Sequence, residues 1–405
     1  MYSFNKKLLV QYAVFSFVLS ILIVEFPRSF AFIPGVSFLL VLACRKFYGD
    51  WQSYRIPVAL YVPFIVLGVL ASASLLWSIS FETSLDRVLK MTPILFAGVV
   101  TLSGAVHSKP EHIRIYLAAL LFALISGCLL VVFELNTGDI IHRVLHHIPE
   151  NIDVASAAYN RGTNIIVLSC FSVLAYYSYI AQQPRLLVPL LFALLGLMVF
   201  TDSQSAQLAL ALGLVTFFAF PYRVKLCWYG LMVLVFVLTL GAPFIAPWLY
   251  GHAAYINELP FFGGGMGYAG PRLEIWDYIS RYILESPITG YGIEATRTIT
   301  DFDSKEVFLT GNTILHPHNF ALQFWIEFGM VGALIAASGL VWLVWLIHKL
   351  DNHVAQRTAL ASFIAILSVS AMGYGMWQSW WMGAVFLTAA HTVFIQRLMT
   401  QKAEK

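Results

Sequence analysis

The chain has 405 residues, of which 59% are hydrophobic and 11% are charged, and its formal net charge is +3. Soluble domains carry about 25% charged residues, so this composition excludes an ordinary soluble protein and predicts an integral membrane protein without a nucleic-acid partner. The four cysteines lie in or beside apolar segments, which favours packing roles and gives no disulfide or metal-binding pattern.

Long apolar runs predict the fold class. A helix of about 20 apolar residues crosses a bilayer, and by that measure we predict an all-α membrane protein with about twelve transmembrane helices. The predicted spans lie near residues 8–25, 30–44, 56–77, 91–106, 113–133, 162–181, 184–200, 204–220, 226–247, 320–348, 357–376 and 378–396.

The distribution of charge predicts the orientation. Lysine and arginine concentrate in the cytoplasmic loops of membrane proteins. With Lys6 and Lys7 placed inside and the spans alternating, most of the 24 basic residues fall on the inner side. We therefore predict a multi-pass protein of the bacterial inner membrane, with both termini cytoplasmic and its large loops in the periplasm.

This topology divides the chain into three parts. Residues 1–247 are expected to contain the first nine spans and an outward loop at 134–161. Residues 248–319 are expected to form a large, mostly helical periplasmic loop, and residues 320–405 the last three spans with a short cytoplasmic tail. Because the periplasm has no ATP, a reaction there needs a substrate that arrives already activated.

Three polar positions precede the large loop. Arg87 resembles an ordinary loop charge. Arg161, which follows Asn160 in an AsnArgGly sequence, lies where the sixth span begins, so it is either an interfacial anchor or a functional group. The turn ThrAspSerGlnSer at 201–205 is expected to cap the eighth span, with a substrate contact as the alternative.

The large loop begins with a glycine-rich stretch and continues into a predicted amphipathic helix of about 14 residues. Pro271 suits its first turn, and Trp276 on its apolar face suits a membrane interface. Arg272 has two interpretations. It contacts lipid headgroups, or its guanidinium clamps a phosphate with two donors.

The sequence HisProHisAsn then opens the tenth span. His318 and Asn319 stand at the mouth of a helix, whose positive end disfavours imidazolium, so His318 should be neutral and able to accept a proton. Asn319, Gln323 and Glu327 continue as a polar stripe. A metal is the alternative interpretation of His316 and His318, but their spacing around a proline matches no common zinc pattern, and we predict no metal there.

Taken together and in this order, the motifs resemble those of the O-antigen ligase family of bacterial membrane glycosyltransferases, which includes related polymerases and protein O-oligosaccharyltransferases. The matching motifs lie within residues 160–335, and the arrangement of spans with one large late loop matches over the whole chain. The motifs are AsnArgGly (160–162), the polar turn 201–205, ArgLeuGluIleTrp (272–276), ProIleThrGlyTyrGly (287–292), HisProHisAsn (316–319) and GluPheGlyMetValGly (327–332).

One position departs from the family pattern. Many members have an arginine after a serine in the polar turn, where this chain has Gln204. Either no phosphate contact is made there, or the hydroxyls of Ser203 and Ser205 make it.

The resemblance implies a donor of undecaprenyl-pyrophosphate carrying O-antigen, an acceptor hydroxyl on lipid A-core, and an inverting transfer without a cofactor or metal among membrane lipids. It implies His318 as general base, oriented or replaced by His316, and Arg272 with Arg161 stabilising charge on the leaving pyrophosphate. The remaining expected substrate-binding residues are Asn160, Asn319, Ser203, Gln204, Ser205, Trp276, Tyr291 and Arg87.

Three other functions compete. An O-antigen polymerase often has two loops with an Arg-x10-Gly spacing, and one such spacing exists here, from Arg281 to Gly292. A protein O-glycosylating member usually has more sequence after its last span. A transporter of lipid-linked sugars would place ionisable residues in mid-span, whereas here they collect at one predicted surface.

Overall fold

The computed structural model describes residues 6–37, 39, 58–258, 269–300 and 314–403, and the regular elements in these ranges are all helical. The α-helices that we label are α1 (Lys6–Val24), α2 (Val58–Ala73), α3 (Phe81–His107), α4 (Pro110–Thr137), α5 (Ile140–His146), α6 (Asn160–Ala175), α7 (Val188–Phe200), α8 (Gln204–Ala219), α9 (Lys225–Gly251), α10 (Ala253–Glu258), α11 (Ala269–Glu285), α12 (Phe320–His348), α13 (His353–Met372) and α14 (Ser379–Ala403).

Seven helices in the described ranges are long and apolar enough to cross a membrane, or eight if one bent pair counts as a span. The predicted all-α membrane protein is therefore confirmed, whereas the number twelve is not established. Three of the predicted spans are shorter apolar helices, at Tyr61–Leu76, Pro184–Phe200 and Gln204–Ala219. The side of the membrane on which each end lies stays a prediction.

The helices of the first two predicted spans form a bent pair, which we call the first span. Its helices Val14–Val24 and Pro27–Ser37 meet at an angle of 105°. Pro27 begins the 3-10 helix that starts the second arm, where its fixed φ and missing N–H suit a first helical position. The break lies against the start of α6, because a Cβ on Gly162 would come within 2.7 Å of the Ile23 carbonyl oxygen.

Two large cores organise the described helices. One joins α4, α6, α7 and α8 with parts of α13 and α14. The other joins α3, α9, α11, α12 and α14, so the helix of the predicted periplasmic loop packs within the bundle. The amphipathic prediction for α11 is confirmed in part. Leu273, Trp276, Ile279 and Ile283 of the predicted apolar face are buried, but Asp277 of the predicted polar face is buried as well.

The turn ProIleThrGlyTyrGly pairs its backbone with α12. The amides of Tyr291 and Gly292 donate to the carbonyls of Ile326 and Glu327, at 2.9 and 2.8 Å. Across the same contact, the Met330 amide donates to the Pro287 carbonyl at 2.8 Å. We call residues 287–292 the glycine turn.

This pairing interrupts α12 at Gly329, which has φ +61° and ψ −157°. A Cβ on Gly329 would lie 2.3 Å from the Ile288 carbonyl, so only glycine fits this approach without a shift of the backbone. The glycines at 263, 264, 265 and 267 and the predicted loop Asp301–Asn312 lie outside the described residues.

Candidate functional site

His318 is held from the loop between α13 and α14. Its Nδ1 lies 2.6 Å from the carbonyl oxygen of Gly373, which only accepts hydrogen bonds, so Nδ1 carries the proton. Nε2 is then the basic nitrogen of the neutral ring. His318 has φ +55°, a left-handed backbone that directs the chain into the cap of α12.

Asn319 forms that cap. Its Oδ1 accepts hydrogen bonds from the amides of Ala321 and Leu322, at 2.9 and 3.2 Å. Such a side-chain cap satisfies N–H groups that have no partner within the helix. Asn319 therefore has a structural role that its predicted substrate contact would have to share.

His316 stacks beside His318, with ring centroids 4.1 Å apart. Burial lowers the pKa of His316 to about 3, and the neighbouring His318 and Arg297 act in the same direction. The pKa of His318 is also lowered, chiefly by burial and then by Arg272, while the Gly373 carbonyl acts in the opposite direction. Both rings are therefore neutral near pH 7, as the sequence predicts for His318.

Helix α11 supports this pair from a second side. The indole Nε1 of Trp276 donates to the Pro317 carbonyl oxygen at 2.9 Å, and Trp276 is buried. The prediction that Trp276 lies at a membrane interface is therefore wrong, because its indole N–H finds an acceptor inside the protein. Its neighbour Arg272 lies close enough to His318 to act on its pKa.

The polar stripe of α12 holds the loop that carries Gly373. Oε1 of Gln323 accepts the Met376 amide at 2.9 Å, and Oε2 of Glu327 accepts the Trp377 indole N–H at 2.6 Å. Gln323 also donates to Glu327 at 2.9 Å. This is a continuous polar network from α12 through the loop to the His318 ring. Glu327 is fully buried within the α12 span, so it departs from the expectation that ionisable groups collect at one surface.

Both predicted phosphate-binding arginines act on the pKa of Tyr374. Burial raises its pKa to about 12, and Arg161, a hydrogen bond from Asn164 and Arg272 act in the opposite direction. The guanidinium of Arg161 lies 5.8 Å from the ring centroid of Trp380, which packs edge-on against Tyr374. Arg161 Nε is buried and has no hydrogen-bond partner in the described part of the chain.

The polar turn 201–205 joins the same site through Asn164. The Nδ2 of Asn164 contacts the hydroxyls of Ser203, Ser205 and Tyr374 at 3.4, 3.3 and 3.3 Å. It also donates to the Asn160 carbonyl at 2.7 Å. Ser203 and Ser205 are buried, whereas Gln204 between them is partly exposed at the start of α8. The structure thus connects AsnArgGly with the polar turn.

Two predicted site residues make contacts elsewhere. Arg87 forms an ion pair with the buried Glu294 at 2.6 Å, and its Nη1 donates to the Trp377 carbonyl at 2.8 Å. Tyr291 donates its hydroxyl to the Tyr282 carbonyl at 3.1 Å. These contacts give both residues a role in holding the glycine turn and the 373–378 loop, and a substrate contact by either stays a prediction.

An apolar groove of about 390 Å³ ends at the site. Asn319 and Trp276 line one end, and Leu231 lines the other. On α9 the lining extends from Leu231 to Leu249, which is a length of about 27 Å at 1.5 Å per residue. Helices α8, α9, α12 and α13 form its walls, and apolar side chains dominate them.

Sequence reasoning missed Gly373, Tyr374 and Asn164. The tripeptide GlyTyrGly occurs twice, at 290–292 and at 373–375, and this repetition is the signal that could have indicated the second loop. Gly375 is needed for a close approach, because a Cβ there would lie 2.9 Å from the His316 ring. Asn164 and Tyr374 are far apart in sequence, so their contact is visible only in the folded structure.

Comparison with known proteins agrees with the motifs. Residues 189–337 match the family model described as O-antigen ligase. A protein of Rickettsia conorii named "Putative polysaccharide ligase" is 24% identical over 84% of this chain and 85% of its own length. A protein of the same name from Rickettsia bellii is 26% identical over 77% of this chain and 74% of its own. One from Rickettsia typhi is 30% identical over 28% of this chain and 29% of its own.

Proposed function

We propose that this chain, which resembles the O-antigen ligase family in its motifs and over residues 189–337 in its sequence, transfers O-antigen from undecaprenyl-pyrophosphate to a sugar hydroxyl of lipid A-core. A polysaccharide ligase activity and an enzyme of the membrane are supported by the matched family and its relatives. The donor, the acceptor, the inner-membrane location and the residue roles are our proposal.

The observation that carries the mechanism is the hydrogen bond from His318 to the Gly373 carbonyl. It fixes the tautomer whose Nε2 accepts a proton, and the lowered pKa keeps that nitrogen unprotonated at neutral pH. A general base must have this state and point at the acceptor hydroxyl. We assign this role to His318 rather than His316 because the Gly373 carbonyl fixes the His318 tautomer, whereas Nε2 of His316 is buried without a hydrogen-bond partner in the described residues.

The leaving pyrophosphate takes up negative charge while the acceptor hydroxyl loses its proton. Arg161 and Arg272 both act electrostatically on Tyr374, so we assign both to the same diphosphate. Fixed guanidinium donors stabilise developing charge on phosphate oxygens without a metal. The buried hydroxyls of Ser203 and Ser205 lie within the same cluster and are proposed to replace the family arginine, in whose place this chain has Gln204.

The apolar groove supports a donor with a long hydrocarbon chain. Its apolar lining ends at Asn319 and Trp276, so a chain lying in it would bring its diphosphate to the arginines and His318. Attack by the deprotonated hydroxyl on the face opposite the diphosphate would invert the anomeric carbon.

Local contacts account for the Arg-x10-Gly spacing that is typical of a polymerase. Arg281 is exposed and pairs with Asp277 at 2.6 Å. Gly292 has φ +91°, and a Cβ there would lie 2.5 Å from Ser78. Both therefore have structural reasons for their residue type, which favours the ligase.

The test is ligation by the purified full-length protein with lipid-linked O-antigen and lipid A-core, without nucleotide. A ladder shifted onto lipid A-core supports the ligase. A longer lipid-linked chain with unchanged core would mean a polymerase. If the folded protein forms neither product, the proposed function is wrong and a transporter becomes the first alternative.

A further inference from the structure

The break of the first span faces two histidines of the outward loop. His142 and His146 are four residues apart on α5, so both project from one face of that helix. Nδ1 of His142 lies 2.7 Å from Oε2 of Glu25. Nε2 of His146 lies 3.9 Å from the same oxygen and 3.0 Å from the Glu25 carbonyl oxygen, to which it donates while no metal is bound. One ligand atom from each residue fits within a group whose members are all within 4.8 Å of one another.

The carboxylate at the centre of this group is buried. Glu25 is 3% exposed, and its Oε1 has no hydrogen-bond partner in the described part of the chain. A buried carboxylate oxygen without a partner is costly, because the group has lost its water without gaining a donor. A cation bound between the two rings and Glu25 would balance the charge of this buried carboxylate.

Neighbouring groups position the ligands. Glu134 accepts the amides of Ile141 and His142, at 3.1 and 2.9 Å, and so fixes the start of α5. The His142 ring packs edge-on against Tyr159, whose hydroxyl donates to Asp139 at 2.7 Å. These contacts hold the backbone of α5 and one side of the His142 ring in place.

We propose that Glu25, His142 and His146 bind a divalent transition metal, with Zn²⁺ as the ion whose ligand preferences they match. Zinc bonds of 2.0–2.1 Å at tetrahedral angles separate ligand atoms by about 3.4 Å, so the 2.7 and 3.9 Å contacts need shifts of less than an ångström. Water would occupy the fourth position, on the exposed side of His146.

The metal would fix the break of the first span beside the AsnArgGly motif. Glu25 directly follows Ile23 and Val24, which contact the start of α6 at Gly162. We assign this site a structural role. It shares no residue with His318, Arg272 or the 373–378 loop, so the proposal does not depend on the proposed function.

The test measures metal content in the full-length protein, purified through a tag that contains no histidine. The protein is stripped with a chelator, dialysed against Zn²⁺ and then against buffer, and analysed by elemental mass spectrometry. We expect about one zinc per chain in the parent protein and a roughly tenfold or greater loss of retained zinc in Glu25→Gln and His142→Ala. His252→Ala, which removes an exposed histidine that bonds only its own helix, should retain the metal.

Two further measurements make the result decisive. Cobalt substitution should give the visible absorption of a tetrahedral ion in the parent protein and not in Glu25→Gln. Zinc should raise the thermal midpoint of the parent protein but not that of Glu25→Gln. If the parent protein retains no zinc, or if Glu25→Gln and His142→Ala retain as much as His252→Ala, the proposal is wrong.

Discussion

Two motifs of the same predicted loop contact the same helix in opposite ways. The glycine turn contacts α12 at its break, through backbone amides and carbonyls. The HisProHisAsn segment contacts it at its first turn, through side chains. Asn319 caps the helix, the His316 and His318 rings pack against each other, and the 373–378 loop holds His318 through the Gly373 carbonyl. The glycine turn is a backbone clamp, and the second motif assembles ionisable groups.

The difference explains why the two motifs use different residue types. Gly290, Gly292 and Gly329 all have positive φ and neighbours too close for a Cβ. Glycine is therefore required at these positions because two backbone segments approach each other closely. At His316 and His318, by contrast, the residue type is explained by the proposed transfer of a proton. A motif composed of glycines should therefore be tested by stability, and one composed of histidines by rate.

The largest expected effect is on the rate. His318→Ala removes the proposed base and should lower ligation by about a hundredfold to ten-thousandfold, with a nearly unchanged thermal midpoint. His318→Asn is the matched variant, because asparagine tolerates the φ of +55°. Ligation is measured as the rate at which lipid A-core shifts on a gel. Normal ligation by both variants would show that His318 is not the base.

The glycine turn should respond in stability. Gly329→Ala places a Cβ 2.3 Å from the Ile288 carbonyl at a φ of +61° and should destabilise the protein by about 3 kcal/mol or more, seen as a fall in folded yield and thermal midpoint. Gly339→Ala is the control in the same helix, since no atom of the described residues lies within 4 Å of a Cβ added there. Equal stability of the two variants would contradict the clamp.

A smaller loss of rate should follow from releasing the loop that orients His318. Gln323→Ala removes the acceptor of the Met376 amide, and we expect roughly a tenfold fall in ligation through misplacement of the Gly373 carbonyl. Single-turnover rates at saturating donor separate this positioning effect from weaker binding. An unchanged rate would mean that the loop keeps its place without Gln323.

The next prediction concerns the pH dependence of ligation, in which a substitution should shift the acid limb of the profile. The folded pKa of His318 lies below the ordinary value of 6.5, so the base stays unprotonated as the pH falls through 6.5 and is lost only at lower pH. The acid limb of the ligation rate should therefore lie below pH 6.5. Arg272→Gln removes a charge that lowers this pKa, so the limb of its residual activity should move to higher pH. A limb at or above pH 6.5 in the parent protein would contradict the assignment.

The smallest effect should come from a side chain of the glycine turn itself. Thr289 is exposed, and its carbonyl rather than its hydroxyl accepts the Trp77 indole N–H. Thr289→Ala should change neither ligation nor stability by more than about 0.5 kcal/mol. A large loss of ligation would show that the turn contributes chemistry as well as a contact.

The sequence predicts local features better than it predicts contacts between residues that are distant in the chain. Four buried residues of α11 follow from helical spacing. A neutral His318 is predicted from the positive end of a helix, whereas in the fold its lowered pKa results chiefly from burial. Sequence reasoning misses Tyr374 because its partners Asn164, Arg161 and Arg272 lie on other helices, and no local pattern marks a residue around which they assemble. It places Trp276 at an interface because an indole suits both a membrane surface and a buried carbonyl.

The number of spans shows a second limit. Counting apolar runs treats each run as one crossing, but Gln204–Ala219 has only 16 residues, and the first span is bent by 105°. An apolar composition predicts that a helix is buried in lipid or in protein and away from water. It does not fix whether that helix is long enough to cross, because neighbouring helices and turns decide where it ends.

The apolar groove has a consequence for the supply of substrate. Its walls are the sides of four apolar helices, three of which are long enough to cross a membrane, and it extends about 27 Å along α9. A donor with a hydrocarbon chain would reach it by diffusion within the bilayer, without passing through water. The quantity that sets the frequency of encounter is then the number of donor molecules per area of membrane, so dilution into detergent should slow the enzyme even at a constant total amount of donor.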